Sequence, residues 1–379
     1  MKTIGINLMP LFSEQGSGAF RYIKLLLQEL DKYNLFDCRF VVYKQQCISR
    51  EYLGIPESLD VDFVDVPNVG RGFKRILFEQ TKFYKYIKPC DVFYSYCSSM
   101  PFFLRSKKIF TLHDVYFLTE KERYGFVQRN YLKFITSLYL KLCDKVLTVS
   151  EYSKMEIIRH FHVKPDNITI TYNFLKSEKC ANSLERPILH GKSGEEIDLN
   201  MPFFLYVGNI HPGKNIVRMV DGFRLFNQNS DIKFNLLISG KLANSGEEIV
   251  KKISGIPNVH YLGYESRENV EWMMQNCQAV VLLSLCEGFG IPPLEGFAYK
   301  KPALVSNTTS LPEVVGAAGV CVNPLDEDEI SGGFKRIVKQ KAELSHNCQT
   351  QIDKFSAQES VETFMKELGI EYKKKKDER

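Results

Sequence analysis

None of the ten cysteines forms a CxxC pair, and from Cys38 to Cys348 they follow no regular spacing. That pattern argues for reduced thiols in a cytosolic protein and against a disulfide framework. The seven histidines show no HExxH or other paired-ligand spacing, so nothing points to a structural metal. Long apolar runs are missing too. The longest aliphatic stretch, "AVVLLSL" from Ala279, falls far short of the roughly 20 residues that span a bilayer. The opening "MKTIGINLMPLF" shares only its lysine with a signal peptide. Asn7 and Pro10 interrupt it and no small-residue cleavage site follows, so it reads as a first β-strand. Internal repeats and low-complexity segments are absent. A net charge of +5 is small for 379 residues; it suits an anionic small ligand or an acidic surface and makes no case for nucleic acid.

What is present is core material. A hydrophobic content of 44% with 25% charged residues describes a soluble globular protein, too long for one ordinary domain. Short β-branched runs alternate with helix-period stretches. "TIGINLM", "FVVY", "DVFYSY", "KIFTLHD" and "KVLTVS" read as strands in the first half. "FFLYVG", "FNLLISG", "VHYLG", "AVVLLSL" and "PALVSN" do so in the second. Such alternation predicts an α/β fold of parallel sheets covered by helices on both faces. The alternation lapses once, in the polar, Gly- and Pro-containing segment 175–200, which reads as a linker between domains at 1–174 and 201–355. Ligands of doubly wound sheets bind outside the carboxyl ends of the strands, and two facing domains would share one cleft. The tail "EYKKKKDER" reads as a frayed, solvated terminus.

Residues 286–298, "CEGFGIPPLEGFA", place Glu287 and Glu295 on either side of two glycines and two prolines. Gly288 and Gly290 permit tight turning and close backbone approach. Pro292 and Pro293 suit a helix's first turn, where a missing N–H costs nothing. The helix start supplies an anion site, with Glu295 expected in its first turn. Carboxylates accept hydrogen bonds from hydroxyls, which a sugar or a ribose offers in pairs. An anion site flanked by hydroxyl acceptors is the chemistry of a sugar nucleotide. The bland alternative is a solvated Glu287 and a Glu295 that favours the helix end.

The stretch "EGFGIPPLEGFAYKKPALVSNTTSLPEVVGAAG" resembles the signature region of family 4 of the retaining glycosyltransferases, which have the GT-B fold: two Rossmann-like domains facing a central cleft. The likeness covers most of the chain and is strongest from Pro202 to Pro324. "LYVGNIHPGKNIVRMVDGF" resembles the family's glycine-rich strand-to-helix segment, which implies that Gly208, Asn209 and Lys214 approach the donor and that Lys214 contacts its phosphates. Many relatives carry arginines where this chain has Asn209 and Gly213. In the first half "EQGSGAFRYI" resembles the family's flexible loop, with Gly16, Ser17 and Gly18 at the donor and Arg21 and Tyr22 following. "TLHDVYF" supplies the family's histidine-aspartate pair, His113 and Asp114, with His113 turned to the transferred sugar. "VLTVSEYSKMEI" adds Ser150, Ser153 and Lys154; Ser150 is also a sound helix N-cap. Gly263 and Tyr264 lie where relatives accommodate the base. The resemblance further implies that Gly288, Phe289, Gly290 and Ile291 line the donor and that Glu295 holds the ribose. The terminal segment 356–379 resembles the helix that crosses back to the first domain.

The resemblance implies a hexosyltransferase that retains configuration, needs no metal, and uses Glu287, His113 and Lys214 in catalysis. Its style is that of bacterial mannosyltransferases of surface polysaccharides such as lipopolysaccharide, which implies GDP-mannose as donor. The acceptor is then a glycan or a lipid-linked saccharide, and the location cytoplasmic or peripheral on the inner face of the cell membrane. A UDP-sugar donor is the alternative, as is a non-catalytic sugar-nucleotide- or glycan-binding protein. The pair Asp60 and Asp62 mimics a metal-binding DxD, but outward-facing acids of a strand explain it better. Residues 71–89, "RGFKRILFEQTKFYKYIKP", are basic and aromatic at helical spacing. They fit an amphipathic helix on an anionic membrane or a core-facing helix with a solvated basic side.

Overall fold

The computed structural model describes residues 1–14, 18–70, 72–97, 99–119, 124–176, 184–192 and 194–375. Two compact units emerge: Met1–Lys176 with Ser356–Arg379, and Ser177–Phe355.

In the first unit the apolar runs form β1 (Lys2–Asn7), β2 (Tyr33–Phe36), β3 (Cys38–Gln45), β4 (Val61–Val66), β5 (Val92–Ser95), β6 (Lys107–Thr111), β7 (Lys145–Thr148) and β8 (Ile168–Ile170). The helices are α1 (Gly18–Glu29), α2 (Arg50–Leu53), α3 (Phe73–Gln80), α4 (Phe126–Leu142) and α5 (Glu151–Phe161). All strands but β2 join one parallel sheet in the order β4-β3-β1-β5-β6-β7-β8. Layers on both faces explain why Val42, Phe93, Tyr94 and Ile109 are all fully buried. Tyr43, Phe83, Phe93, Phe110 and Tyr139 share one cluster on one side of this sheet.

The second unit contains β9 (Phe203–Val207), β10 (Asn235–Ser239), β11 (Val259–Gly263), β12 (Val280–Leu282), β13 (Ala303–Ser306) and β14 (Gly319–Val322). They form a parallel sheet in the order β11-β10-β9-β12-β13-β14. Helices α6 (Ile216–Gln228), α7 (Gly246–Ile253), α8 (Arg267–Asn276), α9 (Ile291–Ala298), α10 (Leu311–Val315), α11 (Glu327–His346) and α12 (Cys348–Asp353) cover it. Phe204 of β9 meets Phe334 of α11 edge to face at 4.8 Å, within a cluster that includes Phe223 and Phe226 of α6. Its neighbour Phe203 points the other way and stacks on Trp272 of α8. The chain then returns to the first unit as α13 (Ala357–Leu368), whose Phe364 packs on Tyr94, and β15 (Glu371–Lys374).

Four sequence expectations change. Residues 71–89 are not one helix: α3 ends at Gln80, Thr81 leaves helical geometry, and a separate 3-10 turn follows at Lys82–Lys85. The expected linker is partly folded, because Leu189 and Ile197 enter the second unit's core and His190 bridges Glu196. Residues 371–374 of the tail pair antiparallel with β2. The sheets also gain β8 and β14, which short polar-flanked sequences had hidden. Asp62 is paired with Lys88 and lies 3.7 Å from Arg39, as expected of outward acids.

Each sheet reverses its winding once, between β1 and β5 in the first unit and between β9 and β12 in the second. A reversal splays the loops at the carboxyl ends and opens a crevice there. The second unit keeps α6 and α11 close through Gly222, where a Cβ would lie 2.7 Å from Ile330 Cβ. Gly222→Val is expected to destabilise the protein by about 1–3 kcal/mol through overpacking. A lower urea midpoint checks this; an unchanged one shows that the helices move apart at no cost.

Candidate functional site

The second crevice is built from the segments following β9 and β12. Gly208 ends β9, and its N–H donates to Ser239 O at 3.0 Å. Gly240 must be a glycine because a Cβ there would run into the Gly208 carbonyl. Beyond, Pro212–Lys214 makes a short 3-10 turn, and Asn215 takes φ +56° before α6 begins at Ile216. Asparagine tolerates that left-handed conformation, and here its Nδ2 also donates to Pro324 O at 2.6 Å. The turn therefore holds Lys214 ahead of α6 instead of within it.

The β12 loop is tied to this turn. Leu285 N donates to Gly213 O at 2.9 Å, and Lys214 Nζ donates to Glu287 Oε1. Ser284 Oγ donates to the same carboxylate oxygen at 2.8 Å, and Ser306 Oγ braces Ser284 O at 2.7 Å. Below the loop, Ser310 Oγ reaches Glu287 O at 2.7 Å and Phe289 O at 3.0 Å. Phe289 is buried against Phe355. The side chains of Lys214 and Glu287 are 18% and 15% exposed, so solvent screens their attraction weakly while leaving them reachable. Burial and the charge of Glu287 together push the Tyr206 phenol well above its usual range.

Gly290, at φ +98°, caps α9, which starts at Ile291. Glu295 is therefore the fifth helical residue and opens the second turn, not the first as expected; it is half-buried. Pro292 and Pro293 occupy the second and third positions and remove two of the four N–H groups a helix start normally presents. An anion site at this end, as the sequence implies, would depend more on side chains. At the end of β11, Gly263 has φ +83°, and its carbonyl accepts from Gly240 N at 2.7 Å. The exposed ring of Tyr264 carries Lys241 Nζ 4.4 Å from its centroid. Asn209 is exposed, its carbonyl accepting from Tyr206 Oη at 3.0 Å.

The first unit has its own polar centre. His113 follows β6, and its Nε2–H donates to Tyr96 O at 2.9 Å, since a carbonyl only accepts. Tyr22 stands edge-on to the imidazole at 5.2 Å, a packing role. Ser153 Oγ holds His113 O at 2.9 Å, and Ser150 caps α5 by accepting from Ser153 N. Burial lowers the His113 pKa from 6.5 to about 4. A neutral ring protonated on Nε2 leaves Nδ1 as an acceptor. Asp114 Oδ1 accepts from Tyr116 N at 3.1 Å. Gly18 opens α1. Gly16 and Ser17 lie outside the described residues.

The positioning serines 284, 306 and 310 escaped sequence reasoning. A serine inside "AVVLLSL" was the available signal, because a buried hydroxyl requires a partner.

Residues 16–179 match the family model "Glycosyltransferase Family 4", and residues 192–355 match "Glycosyl transferases group 1". The chain belongs to glycosyltransferase family 4. Among its relatives, the O-antigen chain mannosyltransferase B of Escherichia coli is 30% identical over 231 residues, 59% of each chain. The O-antigen chain mannosyltransferase RfbU of Salmonella typhimurium is 27% identical over 236 residues, covering 62% of this chain and 61% of that one. The match thus spans about three fifths of these relatives' length. Anabaena HepE, solved with UDP and glucose, shares the fold with a TM-score of 0.70, at 15% identity over 97% of this chain and 100% of that one. This member of family 4 thus has the GT-B architecture of two Rossmann-like units.

The depressed His113 pKa has a pH signature. Above pH 6.5 the ring is neutral both folded and unfolded and contributes nothing. Between 6.5 and about 4 the unfolded chain binds the proton and the folded one does not, so stability falls as pH falls. His113→Gln is expected to flatten that limb in urea midpoints measured from pH 7.5 to 4.5. Equal slopes in both proteins would place the titration elsewhere.

Proposed function

We propose that this chain transfers a hexose, mannose from GDP-mannose, to a hydroxyl of a glycan or lipid-linked saccharide acceptor, with retention of anomeric configuration. One observation carries the reading: Lys214 and Glu287 meet at the winding reversal of the second sheet. A nucleotide diphosphate departs with negative charge, and a preorganised cation facing it lowers the barrier. Lys214 supplies that cation. Glu287 accepts hydrogen bonds from sugar hydroxyls and orients the donor. Gly208, Gly263 and Gly290 admit the donor to close backbone range, Glu295 takes the ribose, and the segment at Gly263 and Tyr264 the base. Neutral His113 offers Nδ1 to a sugar hydroxyl.

The two O-antigen mannosyltransferases favour mannose, whereas the UDP and glucose held by HepE keep a UDP-sugar donor as the alternative. In this reading no divalent metal is required, because Lys214 and backbone N–H groups stabilise the charge of the leaving diphosphate.

Labelled nucleotide sugars incubated with glycan and polyprenyl-saccharide acceptors test the proposal. Transfer from GDP-mannose is expected, with the product's α linkage read by NMR. Lys214→Ala and Glu287→Ala should each lower kcat by about 10²–10³ while circular dichroism stays unchanged. Donor binding without transfer or slow donor hydrolysis across the panel would leave only a binding protein.

A further inference from the structure

In the second unit the residues before β9 fold back as a short hairpin. His190 bridges Glu196 antiparallel, Gly191 N donates to Glu195 O at 2.9 Å, and Ile197 N donates to Leu189 O at 3.0 Å. Leu189 and Ile197 anchor it in the core. Lys192 N donates to Tyr261 O at 2.9 Å, so the hairpin docks on β11, the edge strand of the sheet. That docking lays the Lys192 side chain across Gly263, where a Cβ would lie 2.5 Å from Lys192 Cε and 3.1 Å from Nζ. The lysine is exposed, and its ammonium makes no hydrogen bond or ion pair among the described residues. The acids closest in sequence to Lys192 and Gly263 are engaged elsewhere: Glu195 Oε1 lies 3.3 Å from His260 Nδ1, and Glu265 Oε2 accepts from Asn269 Nδ2 at 2.7 Å.

Gly208, Gly240 and Gly263 stand at the carboxyl ends of the adjacent strands β9, β10 and β11. With neighbouring strands about 4.8 Å apart, this ledge without Cβ atoms runs roughly 10 Å from β9 to the sheet edge. A nucleotide whose diphosphate meets Lys214, after β9, and which lies along the ledge brings its base over Gly263 and beside Lys192. The neighbouring Lys241 is drawn over the Tyr264 ring instead. An ammonium carries donors and no acceptor. Guanine offers it O6 and N7, and uracil, like thymine, offers O4, whereas adenine and cytosine present an amino group on that edge. Two donors facing each other leave both unpaired, so the lysine separates keto bases from amino bases.

We infer that Lys192 reads the base of the nucleotide and selects a keto base, guanine or uracil, over its amino counterpart, adenine or cytosine. The inference deepens the transfer reading and rests on it for the diphosphate at Lys214. The test is isothermal titration of the full chain with GDP, ADP, UDP and CDP, which are matched in size pair by pair. GDP should bind at least about tenfold tighter than ADP, or UDP than CDP, and the tighter of the two keto diphosphates identifies the base as purine or pyrimidine. Lys192→Met keeps an unbranched stem over Gly263 and removes the ammonium. It should lower affinity for that keto diphosphate about tenfold and leave the amino counterpart unchanged. Lys192→Arg, still purely a donor, should keep the preference. Lys214→Ala should weaken all four alike.

Equal binding of keto and amino diphosphates by the wild-type chain overturns the inference, as does a keto preference that Lys192→Met leaves intact. So does a loss in Lys192→Met shared equally by both classes, because the lysine would then meet phosphate. In each of these cases Lys214→Ala still weakens every diphosphate, and the transfer reading stands. A wild-type chain that binds none of the four overturns both.

Discussion

Lys214 and Glu287 stand 73 residues apart in sequence, yet Nζ and Oε1 share a hydrogen bond because β9 and β12 are neighbours in the sheet. Val280 pairs with Leu205 in parallel register, so both strands end on the same side and the segments after them share one crevice. The ion pair is the consequence of topology, and the loops are shaped around it. Leu285 and Gly213 lock backbone to backbone, and Ser284 and Ser310 hold the carboxylate and its own backbone from two directions. A partly buried pair with this much bracing costs desolvation, and removing one partner leaves the other stranded. Such an arrangement is poor value for stability alone and well suited to holding charge where a ligand arrives.

The strand ends around the pair must be bare. Gly240 passes against the Gly208 carbonyl, and Gly263 bends through φ +83° with its carbonyl tied to Gly240 N. Three neighbouring strands of one sheet thus end in glycine, which clears the crevice of Cβ atoms at the level where a ligand's backbone contacts would form. Buried hydroxyls stabilise the adjacent loop, with one departure. Thr309 holds φ +60°, an uncommon conformation for a β-branched residue, and its hydroxyl and that of Thr308 are buried without a hydrogen-bond partner among the described residues. Strain of this kind persists only where surrounding contacts enforce it.

Much of this was legible in the residues. Parallel sheets followed from β-branched runs between helical stretches, and the punctuation of "EGFGIPPLEG" marked a tight loop between β12 and α9. Glu287 and Lys214 were singled out separately, but their direct bond was not, because pairing across the β9–β12 reversal depends on strand order and not on local pattern. Helix boundaries moved for local reasons: Gly290 in the left-handed region starts α9 at Ile291, and that one-residue shift moves Glu295 from the first turn into the second. Leu189 and Ile197 were hidden within a polar segment whose composition looked like linker. β15 was hidden by its lysines, since pairing with β2 comes from backbone groups that composition does not reveal.

Two features of this chain reduce the donors that would stand beside Lys214. The resemblance implies arginines where this chain has Asn209 and Gly213, and Pro292 and Pro293 withdraw two N–H donors from the start of α9. Lys214 is already bonded to Glu287. In the proposed reading an arriving diphosphate would share or take that ammonium, and the carboxylate it relinquishes would become available to hydroxyls at the same moment. The two halves of a sugar nucleotide, phosphate and sugar, would then be read by one exchange of partners within a single ion pair. Arginines at 209 or 213 would have decoupled the two events by giving the phosphates cations of their own.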